Sequence, residues 1–405
     1  MIEALYIHIP FCKKRCFYCD FETQACNDEA LMDAYVNALS LQMRRASRAG
    51  LFGDLKTIYI GGGTPTYLGS RRLSSLIYLL SLSINLEQIE EFTLEANPDS
   101  IDERMVKDLY ALGVDRISLG AQSFNDDDLR FYGRIHNSQA IFDAISAIKT
   151  RFDNFSLDLI CGAQTQNLES WKQSLNIALE TGLKHISIYP LTVESGTPLD
   201  KAVECGECIV ASEDLQADMM LCAKDVLEAA GLERYEVASY ALPGYESKHN
   251  ISYWTGKSYL GLGAISSSMM TKDEYFSCLR AGIFEENESF NHELAQCKDV
   301  ARIRFKASNN TENFIKTDAR PELGPELLTQ KEALLEDVML GFRMSEGPDS
   351  VLLEKALNCA PELHNVLQEL QEKNLITQKE KSFIPTAKGW LCGNEIFASV
   401  INLAS

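Results

Sequence analysis

The sequence predicts an α/β protein: a parallel sheet of βαβ units, either a partial (β/α) barrel or an open doubly wound sheet, followed by a small helical domain. Three observations carry this. Six short β-branched or apolar runs recur over the first 200 or so residues, segments of helical period separate them, and the chemistry-bearing residues gather just behind the runs.

The runs are 4–9 (ALYIHI), 56–60 (KTIYI), 91–95 (EFTLE), 115–119 (DRISL), 155–160 (FSLDLI) and 184–189 (KHISIY). Between them Ala30, Leu31, Ala34, Tyr35, Ala38 and Leu39 share one helix face, as do Leu73, Leu76, Ile77 and Leu80, and then Ile141, Ala144, Ile145 and Ile148. Ser100 with Glu103 reads as a capping box ahead of the Met105, Leu109, Leu112 face. Gly113 and Gly182 stand where a helix-ending left-handed residue belongs. Residues 285–330 are polar, include ASNNTEN, and read as a surface excursion. Helical patterns then return (EALLEDVMLGFRM, ELHNVLQEL), followed by a hairpin-like LITQKEKSFIPT and a last helix, which together resemble a winged-helix-like domain. The expected division is a barrel core over 1–200, an extension over 201–325 and the small domain over 326–405. The tail is expected to close over the barrel mouth and shield the site.

With 405 residues, 45% hydrophobic and 24% charged, the chain has the make-up of a soluble globular protein. No apolar run is long enough for a membrane span. The amino terminus has neither a basic stretch nor a cleavable apolar one, so no secretory signal is expected and the cytoplasm is the expected compartment. A net charge of −20 repels phosphate backbones and argues against nucleic acid as a partner.

Three of the twelve cysteines fall in one stretch, HIPFCKKRCFYCDF, as Cys12, Cys16 and Cys19. Cys161 and Cys222 read as core residues, and Cys205-Gly-Glu-Cys208 is a lone CxxC. Structural zinc wants four ligands, and no fourth Cys or His lies at suitable spacing; His8 precedes the loop but alternates with Tyr6 along the strand, and a zinc loop completed by it is the bland alternative. A four-iron cluster is usually held by four thiolates, so three leave one iron open to a small molecule. Behind the second run, GGGTPT (61–66) allows close backbone approach to a ligand, with N–H groups available to bind it.

This Cys-x3-Cys-x2-Cys spacing resembles that of the radical S-adenosylmethionine (SAM) superfamily. The resemblance implies a partial (β/α)6 TIM-like barrel, a [4Fe–4S] cluster on Cys12, Cys16 and Cys19, and SAM on the open iron. YIHIPFCKKRCFYCDF, GGGTPTYL, LEANPDS, GAQSFNDDDL, GRIH and LDLICG follow the order of the oxygen-independent coproporphyrinogen III oxidase-like group. Carried over position by position, the likeness implies a SAM site of Tyr6, Tyr18, Gly62, Gly63, Thr64, Glu95, Gln122, Arg134 and Asp158.

Two departures separate this chain from the decarboxylating enzyme of that group. Phe21 stands where the enzyme has a further cysteine, and the enzyme carries an amino-terminal extension before its first strand. HNISYW (249–254) is similar instead to the HNxxYW motif of the group's haem chaperone subfamily. That likeness implies haem as cargo, contacted by His249, Tyr253 and Trp254. The implied function is a haem carrier that serves haem-accepting respiratory proteins, peripherally at the inner membrane. The alternative is radical oxidative decarboxylation of the two propionates of coproporphyrinogen III, which would need an electron acceptor; an electron donor such as flavodoxin or ferredoxin is expected as a partner of the cluster. A homodimer is left open.

Overall fold

The computed structural model describes residues 1–307 and 310–404. All six predicted runs are strands: β1 (Ala4–Ile9), β2 (Thr57–Gly62), β3 (Glu91–Ala96), β4 (Arg116–Gln122), β5 (Phe155–Cys161) and β6 (His185–Pro190). They are parallel and lie side by side in chain order. A doubly wound sheet reverses its strand order, whereas an order that never reverses, joined by right-handed crossovers, puts the helices on one face. The winding is therefore that of a partial barrel, and its other face is free to hold a site.

The strands alternate accordingly. Leu5, Ile7, Ile58, Ile60, Phe92 and Leu94 are fully buried in the main core. Burying each such side chain contributes about 1.5–3 kcal/mol. Their neighbours Tyr59, Thr93, Glu95, Arg116, Ser118 and Asp158 form a polar inner face. Gly113 and Gly182 have positive φ, 92° and 75°, as expected of helix-ending residues. The Ser100–Glu103 capping box is not formed. Asp102 caps the helix Glu103–Ala111 by accepting from the Met105 N–H at 2.8 Å. Ser100 sits in a 3-10 turn and bonds the Thr66 hydroxyl at 2.6 Å. Both Ser100 and Asp102 lie close before the helix, and the carboxylate is the stronger acceptor.

The sheet extends past both edges of the six strands to twelve among the described residues. Beyond β6 lie β7 (Glu233–Arg234) and β8 (Ser239–Ala241), with β8 antiparallel to β6. On the other side β9 (Tyr259–Leu262) runs parallel to β1, pairing Tyr259 with Ala4. Then β10 (Ser267–Met270), β11 (Arg302–Ala307) and β12 (Leu323–Leu328) follow, antiparallel. The polar stretch 285–330 is thus not a surface excursion but the outer edge of the sheet. Its strand RIRFKA alternates, burying Ile303, Phe305 and Ala307 while Arg302, Arg304 and Lys306 face the other way. Phe284 seals it at 4.7 Å from Phe305. Within ASNNTEN, Ser308 and Asn309 lie outside the described residues; Asn310 caps the helix Thr311–Lys316.

The last segment has its own core of Leu335, Val338, Phe342, Leu363, Leu367 and Ile396. It comprises helices Gln330–Gly341, Ser350–Cys359 and Leu363–Glu372, a hairpin of β13 (Ile376–Lys379) and β14 (Ser382–Pro385), and helices Ala387–Leu391 and Gly393–Ile401. A two-pronged ion pair ties it to the sheet, Arg302 to Asp337 at 2.5 and 2.6 Å, with Arg304–Glu336 beside it. Arg343 lies over Trp254 at 5.0 Å. These contacts sit around the helix Lys248–Trp254, below the amino ends of β2 and β3, where Glu91 accepts from the N–H groups of Lys248 and His249. The tail therefore packs near the amino ends of β2 and β3 rather than over their carboxyl ends, where the barrel mouth lies, and of its described residues only Glu336 and Leu340 reach a cavity that also touches Phe21 and Gly62. Among the described residues, no helix is long and apolar enough to cross a membrane.

Candidate functional site

A cavity of about 310 Å³ opens at the carboxyl ends of β2–β6, and Cys12, Cys16 and Cys19 line one wall. Their loop is pinned at both ends. Cys26 N–H donates to Cys12 O at 3.0 Å, and Phe17 N–H to Tyr132 O at 3.0 Å. Phe11 is buried edge-on against Tyr35. Two sulfurs already meet donors: Arg134 Nη1 lies 3.3 Å from Cys16 Sγ and Thr64 Oγ1 3.6 Å from Cys12 Sγ. Donors of this kind stabilise cluster thiolates. Burial pushes the Cys12 thiol up and the Cys19 thiol to about 11, so loading metal here displaces protons. Among the described residues, no three His, Cys, Asp or Glu side chains converge on a single ion. A four-iron cluster does not ask them to, because each thiolate binds a separate iron. His8 does not complete a zinc loop: Nδ1 bonds the Tyr6 hydroxyl at 3.0 Å and Nε2 the Glu22 carbonyl at 3.2 Å. The donor set fits a cluster.

The glycine run is required by packing. A Cβ on Gly63 would stand 2.6 Å from Phe11 O and 2.9 Å from Ile9 O, and one on Gly62, at φ 113°, 2.5 Å from the His8 ring. Its N–H groups are not offered to a ligand, contrary to the expectation. Gly62 N–H donates to Glu95 Oε2 at 3.1 Å, Gly63 N–H to Ile9 O at 2.7 Å and Thr64 N–H to Phe11 O at 2.8 Å. The bonds clamp the run against β3, the end of β1 and Phe11 at the entry to the cysteine loop.

Gly62, Gly63, Thr64, Glu95, Gln122, Arg134, Asp158 and Tyr18 all line this cavity. Glu95 accepts from Tyr59 at 2.7 Å; burial, reinforced by the nearby Asp158, raises it to about 7. Asp158, raised by burial, accepts from Ser118 at 3.3 Å, which supplies the partner a buried carboxylate needs. Gln122 is held at φ 69° beside a break in the β4–β5 register, a strained setting typical of functional positions. Arg134 is no surface arginine: Nη2 donates to Asn97 Oδ1 at 2.8 Å and Gly120 O at 2.9 Å. Tyr6 is the exception. It stacks on Tyr59 and lines a second cavity instead. Sequence reasoning missed Asn97, Arg116 and Tyr189, which also line the first. The signal for Arg116 was a charged residue inside an apolar run, and its Nε is buried without a partner.

The HNISYW residues divide. Asn250 reaches the first cavity, and Tyr253 and Trp254 line the second. His249 lines neither. It is 1% exposed, its Nδ1 bonds Thr57 Oγ1 at 2.9 Å, its Nε2 bonds the Tyr253 hydroxyl at 2.8 Å, and its ring stacks on Tyr59 at 5.0 Å. Burial lowers it to about 3. In this conformation it is a neutral core histidine with no nitrogen left for a metal. The twelve cysteines are all free; Cys161 is buried, whereas Cys205 is exposed and Cys208 half-buried.

A sheet wound in one direction, with three cysteines behind its first strand, defines a class, and the comparisons agree. Residues 6–178 match the Radical SAM superfamily and residues 328–392 the HemN C-terminal domain. The chain is 32% identical over 402 residues to the heme chaperone HemW of Lactococcus lactis, covering 98% of this chain and 96% of that one. It is 31% identical over 404 residues to HemW of Bacillus subtilis, covering 99% of each. The solved structure of coproporphyrinogen III oxidase (HemN) from Escherichia coli superposes with a TM-score of 0.75 at 21% identity, over 98% of this chain and 90% of that one, which establishes the shared fold. The chain belongs to the radical SAM superfamily and, within it, to the family of the HemW heme chaperones. A [4Fe–4S] cluster and SAM are the cofactors that membership implies.

Proposed function

We propose that this protein is a haem carrier that holds haem, binds a [4Fe–4S] cluster with SAM at the cysteine-lined cavity, and passes haem to acceptor proteins. Likeness to HemW over the whole length of two relatives carries the reading. Cys12, Cys16 and Cys19 hold the cluster. Tyr18, Gly62, Gly63, Thr64, Glu95, Gln122, Arg134 and Asp158 surround SAM, and Tyr6 supports that wall through its stack on Tyr59. Bound together, cluster and SAM supply one-electron cleavage of a sulfonium; a small electron-transfer protein is the donor. Tyr253 and Trp254 are the haem-facing members of their motif, while iron ligation by His249 requires its bonds to Thr57 and Tyr253 to break. Haem-accepting respiratory proteins are the recipients, met peripherally at a membrane.

Decarboxylation is the weaker reading, because Phe21 supplies no sulfur where the enzyme has its further cysteine. The test uses anaerobically reconstituted protein, mixed with hemin and, separately, with coproporphyrinogen III, SAM, reductant and an electron acceptor for the substrate radical. A Soret shift with no protoporphyrinogen is expected. Sustained decarboxylation overturns the carrier.

A further inference from the structure

The second cavity, of about 550 Å³, lies over the sheet extension beside the first. Its size suits a ligand that is largely enclosed. Five aromatic side chains line it: Tyr6, Phe21, Tyr253, Trp254 and Tyr259. Phe21 belongs to both cavities and, at 61% exposed, is the most exposed aromatic side chain among the described residues. A bare ring in such a place is a surface waiting for a flat partner.

Two cations complete the lining, Arg304 and Lys306, both on β11. Lys306 is paired with Glu22 at 3.0 Å, and both side chains are at least half exposed. Arg304 is shared between Glu326, itself 60% exposed, at 2.6 Å, and the buried Glu336. Exposed pairs of this kind are weak, so an incoming carboxylate can replace Glu22 or Glu326.

We propose that the second cavity is the seat of a flat aromatic macrocycle bearing carboxylates, a tetrapyrrole, gripped by the five rings and anchored through its carboxylates on Arg304 and Lys306. The proposal rests on the carrier reading and gives it a location beside the SAM cavity, with which it shares Phe21, Gly62 and Glu95.

The test titrates hemin, and in parallel hemin dimethyl ester, which lacks free carboxylates, into cluster-loaded full-length protein and its Arg304→Gln/Lys306→Gln variant. The expected result is a rise of about tenfold or more in the hemin Kd of the variant, with the ester binding wild type and variant alike. Should the double variant lose its iron, Lys306→Gln alone, which disturbs only the pair with Glu22, is expected to weaken hemin about threefold and the ester not at all. Equal hemin affinity in variant and wild type overturns the site while leaving the carrier standing. A loss shared equally by the ester overturns the carboxylate anchors. Wild-type protein that leaves hemin unbound overturns the carrier and the site together.

Discussion

His249→Phe separates a structural histidine from an iron ligand. The new ring keeps the stack on Tyr59 but carries no nitrogen. Thr57 Oγ1 and the Tyr253 hydroxyl, now bonded to the imidazole at 2.9 and 2.8 Å, would face carbon. A buried hydroxyl left unpaired costs about 1–3 kcal/mol, so the haem-free variant is expected to lose about 4 kcal/mol at pH 7. The readout is the urea midpoint followed by far-ultraviolet circular dichroism. Acid gives a second reading. His249 titrates near 3 when folded and near its ordinary 6.5 when unfolded. Its contribution is therefore full above pH 6.5 and declines as pH falls towards 3, because the unfolded chain takes up the proton first. Wild type should lose about 1 kcal/mol from this residue between pH 7 and 5.5, a loss the phenylalanine variant lacks, so the gap between them narrows by that amount. Coincident midpoints at pH 7 in haem-free protein would refute the structural role.

Three further outcomes are expected. Cys16→Ala should leave anaerobically purified protein colourless, with iron at background by colorimetric assay. Gly63→Ala places a methyl against two backbone carbonyls that cannot swing aside, and should cost about 1–3 kcal/mol in thermal or urea unfolding while lowering iron content through the displaced cysteine loop. Asp337→Ala strands the half-buried Arg302 and should cost about 2 kcal/mol, seen as faster hydrogen exchange across Gln330–Gly341 with β2–β5 unchanged.

The barrel strands were legible because each is a local signal, a β-branched run whose alternate residues are polar. The cluster loop and glycine run were legible for the same reason, since each is one contiguous segment. RIRFKA carried an equally clear alternation but was hidden by the polar residues around it, and so the sheet edge was taken for surface. The place of His249 could not be read locally. Its partners Thr57 and Tyr59 belong to a strand far back in the chain, and only the fold brings them together. The spent N–H groups of GGGT were also invisible, because their acceptors, the Glu95 side chain and the backbone carbonyls of Ile9 and Phe11, lie on other segments of the chain.

The pairing of Ala4 with Tyr259 has a temporal consequence. The first strand emerges from the ribosome early, yet its outer neighbour is synthesised only after most of the chain has followed. Until then one flank of β1 offers unmatched amide and carbonyl groups to any passing strand. Iron delivered to the nascent sulfurs would meet a platform supported on one side only. The strand behind the sulfur loop is thus flanked on both sides only once residues 259–262 have been made, and a chain truncated before residue 259 should aggregate rather than accept iron.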